Sequence, residues 1–191
     1  MATGRVVGED ALHVAFICTG NRFRSPLAAA LLAAERPALS LRISSFGTME
    51  LGAAPALPEA VELAGAFGLD LSAHRTQSLK EADLARYDLV LGFEQHHVAA
   101  AVIDAGARSE RTFTLRELVS LLEACPAVRL TGGELARARV RIQAAEAARA
   151  ADFRRTVPEV IDPLGHSPTV QRGIAVELRK SVAALASRLF D

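Results

Sequence analysis

A three-layer α/β fold, with a four-stranded parallel sheet between helices, is what this 191-residue sequence predicts. Short apolar runs alternate with stretches of helical spacing along the chain. The first run breaks off at Cys18, Gly20 and Asn21, as a buried strand does on meeting a tight turn. Half of the residues are hydrophobic and 23% are charged, enough apolar material for a core and too little charge for intrinsic disorder.

The elements follow in order. His13-Val14-Ala15-Phe16-Ile17 reads as a strand. Ser25-Pro26 then opens a helix over Leu27 to Glu35, with proline at the first helical position. Leu39 to Phe46 alternates Leu39, Leu41 and Ile43 against Ser40, Arg42 and Ser44, a second strand closed by Gly47-Thr48. Pro58 to Phe67 is a helix ended by Gly68, and Asp88 to Leu91 a third strand. A helix surrounds His97 to Ala107, Arg111 to Leu115 forms a short fourth strand, and Leu115 to Ala124 has helical spacing. Thr169 to Leu189 is an amphipathic helix with Val170, Ile174, Leu178, Val182 and Leu185 on one face.

Glu123 to Arg155 differs in kind: Gly132-Gly133 interrupts it, and Glu134 to Arg155 is dense in Ala and Arg. It reads as a long, mostly exposed helix. Its arginines, Arg137, Arg139, Arg141, Arg149, Arg154 and Arg155, are expected on a solvated face, with their stems lying on apolar surface. The competing reading is a docking surface for an acidic or phosphorylated partner.

Composition removes several classes. Basic and acidic residues balance at 22 each, so no cationic surplus exists for sequence-independent nucleic-acid binding. Of the 22 basic residues only Lys80 and Lys180 are lysines, and the rest are guanidinium groups suited to planar contacts with oxyanions. Two cysteines, Cys18 and Cys125, form no disulfide framework, so a reducing, cytoplasmic setting is expected. Met1 to Asp10 lacks an apolar signal-peptide core, and no window approaches a membrane span. The oligomeric state is not legible.

One segment carries chemistry: Cys18-Thr19-Gly20-Asn21-Arg22-Phe23-Arg24-Ser25-Pro26. Cysteine six positions before arginine is cheap in so arginine-rich a chain, but here a strand precedes it, Gly and Asn occupy the turn, and a helix follows. That setting makes a nest of backbone N–H groups at a helix N-terminus, an anion cradle. The same dipole and Arg24 would stabilise a Cys18 thiolate, and Arg24 can grip two oxygens of a tetrahedral oxyanion. Ser25 is placed to hydrogen-bond the thiolate. The bland alternative is a buried strand-end cysteine.

The segment resembles the phosphate-binding loop, Cys-(X)5-Arg-Ser, of the low-molecular-weight protein tyrosine phosphatase family. Ser45-Phe46-Gly47-Thr48 resembles that family's Ser-Ala-Gly-Thr, Gly68 to Arg75 its Gly-Ile-x-x-x-x-His segment, Tyr87 to Leu91 its third strand, and Asp162-Pro163 its general-acid motif. The resemblance covers most of residues 12 to 122 and 159 to 189, in one phosphatase-like domain, and leaves 123–157 as an insertion. It implies Cys18 as nucleophile, Arg24 with the backbone of Thr19, Gly20, Asn21, Arg22 and Phe23 as phosphate binders, and Asp162 as general acid. It further implies Pro163 fixing the backbone beside the acid, Ser25, Ser45 and His74 as supports, and a rim of Met49, Leu51 and Leu164. Asn21 holds a turn that tolerates left-handed geometry. No metal or organic cofactor is required, and the partner is a phosphorylated protein or small phosphoester. Asp152 and Asp104 are the fallback acids.

The chain also departs from the family. Phe23 stands where a second loop cysteine is frequent, Leu164-Gly165 where tyrosine is usual, and Phe93-Glu94 where Met-Asp is usual. Arg22 takes a position more often apolar, and Met49-Glu50-Leu51 offers no aromatic rim. Ester hydrolysis is therefore better supported than tyrosine selectivity, which gains from aromatic stacking. His96-His97 beside Glu94 suggests a metal, but adjacent helical residues face different directions. Two alternatives stay open: an arsenate reductase drawing on an external thiol, and a non-catalytic phosphate-binding module. A reductase of the disulfide-relay type would need a partner for Cys125, whose Ala124-Cys125-Pro126 setting more often marks a helix end.

Overall fold

The computed structural model describes residues 11–125, 131–151 and 157–191. Its strands are β1 (Leu12–Cys18), β2 (Leu41–Gly47), β3 (Leu89–Gly92) and β4 (Thr112–Thr114). They form one parallel sheet in the order β2-β1-β3-β4. The helices are α1 (Arg24–Glu35), α2 (Pro58–Ala66), α3 (Gln95–Ala105), α4 (Leu115–Ala124), α5 (Glu134–Ala151) and α6 (Pro168–Phe190).

Strand β1 shows why three layers result. Leu12, Val14, Phe16 and Cys18 join the larger apolar cluster, with Leu27 and Leu31 of α1, Leu118 and Leu122 of α4 and Leu178 and Leu185 of α6. Ala15 and Ile17, alternating with them, join a smaller cluster with Val90, Leu79, Leu84 and the α3 residues Ala101 and Ala105. A strand buried on both faces is continuously apolar, and its period of two divides it between the layers. The chain leaves β1 towards β2 on one side and β3 on the other. The carboxyl end of β1 is thus the point where the strand order reverses, the place where such sheets take ligands.

The expected fold and all four strands are present, with small shifts. Helix α1 starts at Arg24 rather than after Ser25, so Pro26 occupies its third position, where a missing N–H is still harmless. Strand β2 begins at Leu41, because Arg36 to Leu39 turns instead of extending, with Leu39 N bonded to Arg36 O at 3.2 Å. Val170 is 39% exposed and does not share the buried face of α6, which starts at Gln171 and Ile174. The first turn of that helix lies beyond the edge of the core.

Helix α5 corrects the expectation of a freely solvated arginine face. Its buried stripe is narrow, Ala138, Ile142 and Ala145, and the arginines tie it down. Arg139 donates to Asp88 Oδ1 at 2.9 Å and to the Ala11 carbonyl at 2.9 Å. Arg141 donates to the Leu189 carbonyl at 3.0 Å. Arg149 reaches the carbonyls of Thr112 and Ser109, each at 2.7 Å, pairs with Glu146, and lies 4.2 Å over the Phe113 ring. These guanidinium groups bond carbonyls on neighbouring elements and so hold α5 to the ends of α6 and β4. Arg154, Arg155 and Asp152 lie outside the described residues, as do Met1 to Asp10 and Pro126.

Arg149→Ala is accordingly expected to cost about 1–2 kcal/mol, seen as a fall in melting temperature of about 3–6 °C. Because the contacts of Arg149 among the described residues lie on the Ser109 turn, β4, α4 and α5 and not on the Cys18 loop, turnover per folded molecule should be unchanged. A melting temperature equal to wild type would mean that Arg149 adds nothing to the hold on α5.

Candidate functional site

The cradle forms where β1 runs out. Cys18 closes the strand, the chain turns through Thr19 to Phe23, and α1 begins at Arg24. Asn21 adopts φ +49°, the left-handed region that asparagine tolerates and that lets the loop fold back over the cysteine. Its amide donates to Cys18 Sγ at 3.2 Å. Ser25 Oγ lies 3.0 Å from the same sulfur. Among the described residues, the amides of Gly20, Arg22 and Phe23 make no hydrogen bond to the protein, so they remain for an anion.

The loop is over-determined from below. The Asn21 side chain donates to Ser25 Oγ at 2.8 Å and Ser45 Oγ at 2.9 Å, and accepts from Gln77 N at 2.8 Å. His74 Nε2 meets the Asn21 carbonyl at 2.7 Å. Burial pushes the His74 pKa down while that hydrogen bond opposes the shift. A neutral ring donating through Nε2 fits both facts. Gly47 is required here, since a Cβ on it would stand 3.0 Å from both Asn21 Cβ and the Thr19 carbonyl. The expected supports Ser25, Ser45 and His74 therefore all converge on Asn21. The phenyl group of Phe23 is buried in the core, so only its backbone faces the loop.

Arg24 is 2% exposed and holds four acceptors. Nη1 donates to Glu94 Oε1 at 2.7 Å and to the Val160 carbonyl at 3.0 Å. Nη2 donates to Asp162 Oδ2 at 2.6 Å and to Thr19 Oγ1 at 3.4 Å. Asp162, on the segment before α6, also accepts from Leu164 N at 3.0 Å, so the Asx turn before proline is present as well as the approach to Arg24. Val160 N bonds the Phe93 carbonyl at 3.1 Å and Glu159 accepts from Gln95 N at 2.6 Å, which anchors this segment to the β3–α3 turn. Asp104, on α3, is not among the groups converging on Arg24.

The β3–α3 turn carries the contributor that sequence reading treated only as a doubtful ligand, His97. Its ring is fully buried. Nδ1 accepts from Glu94 N at 3.1 Å and Phe93 N at 3.4 Å, and Nε2 lies 3.1 Å from Thr19 Oγ1. Burial first, then the charges of His96 and Arg24, push its pKa down to about 3. The argument that adjacent histidines must diverge fails at this helix start. The rings of His96 and His97 are 4.0 Å apart, and donor atoms of Glu94, His96 and His97 lie within 4.8 Å of one another. The Nδ1 lone pair of His97 is spent on backbone amides, however, so Nε2 carries the proton and has no lone pair for a cation. A Glu-then-His three residues later, at the start of a helix after a buried strand, was the available signal: it is a capping box.

Of the three expected rim residues, Leu51 is the one seen against the loop, and Met49 and Leu164 are exposed, 51% and 69%. Leu51 lies over the loop, its Cδ1 3.6 Å from where a Cβ on Gly20 would be. Arg22 donates through Nε to the Pro55 carbonyl at 2.8 Å. Cys125 closes α4, a helix of 10 residues that leaves the site end of β4, hence about 15 Å of rise away from it. A relay from Cys18 to Cys125 is not supported by that placement.

The family model for low molecular weight phosphotyrosine protein phosphatase matches residues 13–125. The chain is 43% identical over 75 residues, 39% of its length and 50% of the relative's, to EpsP of Ralstonia nicotianae, a probable low molecular weight protein-tyrosine-phosphatase. It is 33% identical over 111 residues, 57% of its length and 73% of the relative's, to a protein-arginine-phosphatase of Bacillus subtilis. The alignment thus spans half of the first relative and nearly three quarters of the second. Among solved structures, a low molecular weight protein tyrosine phosphatase from T. tengcongensis superposes with TM-score 0.67 at 29% identity, covering 93% of this chain and 99% of that one. A YwlE mutant from Bacillus subtilis superposes with TM-score 0.70 at 25% identity, covering 94% and 99%.

Proposed function

This chain belongs to the low molecular weight phosphotyrosine protein phosphatase family, and from that premise we propose that it hydrolyses phosphate monoesters through a cysteinyl-phosphate intermediate. The observation that carries the reading is the 2.6 Å ion pair joining Arg24 to Asp162, 138 residues away in sequence, beside the Cys18 loop. It brings Asp162 to the guanidinium that also bonds Thr19, the neighbour of Cys18, which supports joint roles for the three side chains.

The steps follow from those positions. The substrate phosphoryl group enters the amide nest and takes the Nη2 face of Arg24, releasing Asp162 to meet the ester oxygen. Once released from Arg24, Asp162 takes up a proton from solvent. Cys18 Sγ then forms the S–P bond as the P–O bond to the alcohol breaks, and Asp162 gives that proton to the departing oxygen. Water then attacks phosphorus, passes a proton to Asp162 and breaks the S–P bond, so phosphate leaves and the thiolate is restored. Ser25 and the Asn21 amide stabilise sulfur as the leaving group of the second step. Thr19 to Arg24 hold the equatorial oxygens throughout.

A phosphorylated protein or small phosphoester is the proposed substrate. Relatives named for tyrosine and for arginine dephosphorylation both lie close, and the rim of Met49, Leu51 and Leu164 has no ring to stack on a phosphotyrosine. No described helix is long and apolar enough to cross a membrane. A reducing cytoplasmic setting, which keeps Cys18 free, belongs to the same proposal.

The acid is tested by leaving-group dependence. Asp162→Asn should slow phenyl phosphate hydrolysis by about 10²–10³-fold and para-nitrophenyl phosphate far less, because nitrophenolate departs without a proton. Equal rates for wild type and Asp162→Asn on phenyl phosphate would remove Asp162 from the role. Arsenate-dependent oxidation of a small thiol without ester hydrolysis would move the chain to the reductase reading.

A further inference from the structure

We propose that His97 is a positioning residue for phosphoryl transfer: its Nε2–H fixes the Thr19 hydroxyl so that the hydroxyl proton points to a phosphoryl oxygen in the loop. The inference rests on the phosphatase reading above and assigns a further residue to that site.

Two backbone amides point at Nδ1, from Glu94 at 3.1 Å and Phe93 at 3.4 Å, so Nδ1 is the acceptor and the ring proton resides on Nε2. Nε2–H therefore donates to Thr19 Oγ1 at 3.1 Å. Arg24 Nη2 donates to the same oxygen at 3.4 Å. Both lone pairs of the Thr19 hydroxyl are then taken by donors. Its single proton has no acceptor among the described residues and is directed outward, next to the guanidinium nitrogen that faces Asp162. A hydroxyl forced to donate beside an anion cradle adds to the charge-stabilising set at no reorganisation cost.

The fold commits to this placement. Strand β3 ends in Gly92, where a Cβ would stand 2.9 Å from His97 Cβ, so any other residue there would push the histidine off. The ring is wedged between Phe93, 6.5 Å away edge-on, and His96. Glu94, three residues earlier, holds Arg24 through Oε1. One turn at the carboxyl end of β3 thus positions both the arginine and the first residue of the loop.

Two replacements separate the two edges of the ring. His97→Asn places its Oδ1 where Nδ1 was and keeps the amide cap, but cannot reach Thr19. His97→Gln carries an N–H to the Nε2 position and loses the cap. With para-nitrophenyl phosphate, His97→Asn should lower kcat about tenfold, a fraction of the loss for deleting an oxyanion donor outright, with KM within about twofold. Phenyl phosphate should fall by the same factor, because the affected charge is on the transferred group and not on the leaving oxygen. His97→Gln should melt lower yet keep kcat within about threefold when assayed below its transition. Thr19→Val should match His97→Asn, and the double variant should be no slower than Thr19→Val alone.

Multiplying losses in the double variant, or wild-type kcat in His97→Asn, overturns the proposal. Independently of turnover, nitrogen NMR of the wild-type protein should show His97 in the Nε2–H tautomer from pH 5 to 8, and an Nδ1–H tautomer also overturns it. A wild type that neither turns over esters nor binds phosphate, while keeping the Nε2–H tautomer, would instead sink the phosphatase reading and the catalytic role built on it.

Discussion

Cys18→Ser is expected to lose phosphate ester hydrolysis by at least about 10⁴-fold while still binding inorganic phosphate at wild-type affinity or better. The loop is built by the backbone and by Asn21, Ser25, Ser45 and His74, and none of those contacts requires sulfur. Serine fits the volume of the buried cysteine, and its hydroxyl can accept from the Asn21 amide, which now lies 3.2 Å from Sγ. What disappears is the anionic nucleophile, and with it a like charge against the entering phosphate. The experiment pairs steady-state hydrolysis of para-nitrophenyl phosphate with calorimetric titration of phosphate. Hydrolysis within a hundredfold of wild type would mean that water attacks directly and no cysteinyl phosphate forms. Loss of phosphate binding together with hydrolysis would place the sulfur in the architecture of the cradle rather than in its chemistry.

Arg24→Lys is expected to reduce kcat by about 10²–10³-fold and to weaken phosphate binding, although positive charge is kept. The guanidinium satisfies Glu94 and Val160 from one nitrogen and Asp162 and Thr19 from the other. A single ammonium on a shorter head cannot span acceptors on both sides of the site. Glu94, 17% exposed on its side chain, would then lose its partner, so a fall in stability should accompany the kinetic loss. Assays below the melting transition, with folded fraction measured by circular dichroism, separate the two effects. Lysine at near-wild-type kcat would show that net charge alone suffices and that the two-pronged geometry is incidental.

The β3–α3 turn gives both variants a common background. Through Glu94, His97 and the Phe93 carbonyl it touches the arginine, the loop threonine and the segment that carries the acid. Distant parts of the chain meet on it, and none of those pairings follows from local sequence.

The local structure around Cys18 is legible in the sequence. An apolar run ending in Cys-Thr-Gly-Asn and followed by Arg-Ser-Pro specifies strand, turn and helix start by steric and capping rules that act over a few residues. Strand order along the chain, the alternation of Leu12, Val14 and Phe16 against Ala15 and Ile17, and the helices after Pro58 and Thr114 depend on the same short-range rules. Tertiary packing alone decided what those elements meet: that α5 arginines close carbonyls on neighbouring elements, that Val170 clears the core, and that His97 turns its Nε2 to Thr19. The reason is physical. Propensity and periodicity fix the direction of a side chain relative to its own element, whereas a hydrogen-bond partner 78 residues away is fixed only when two elements pack and a buried donor must find an acceptor.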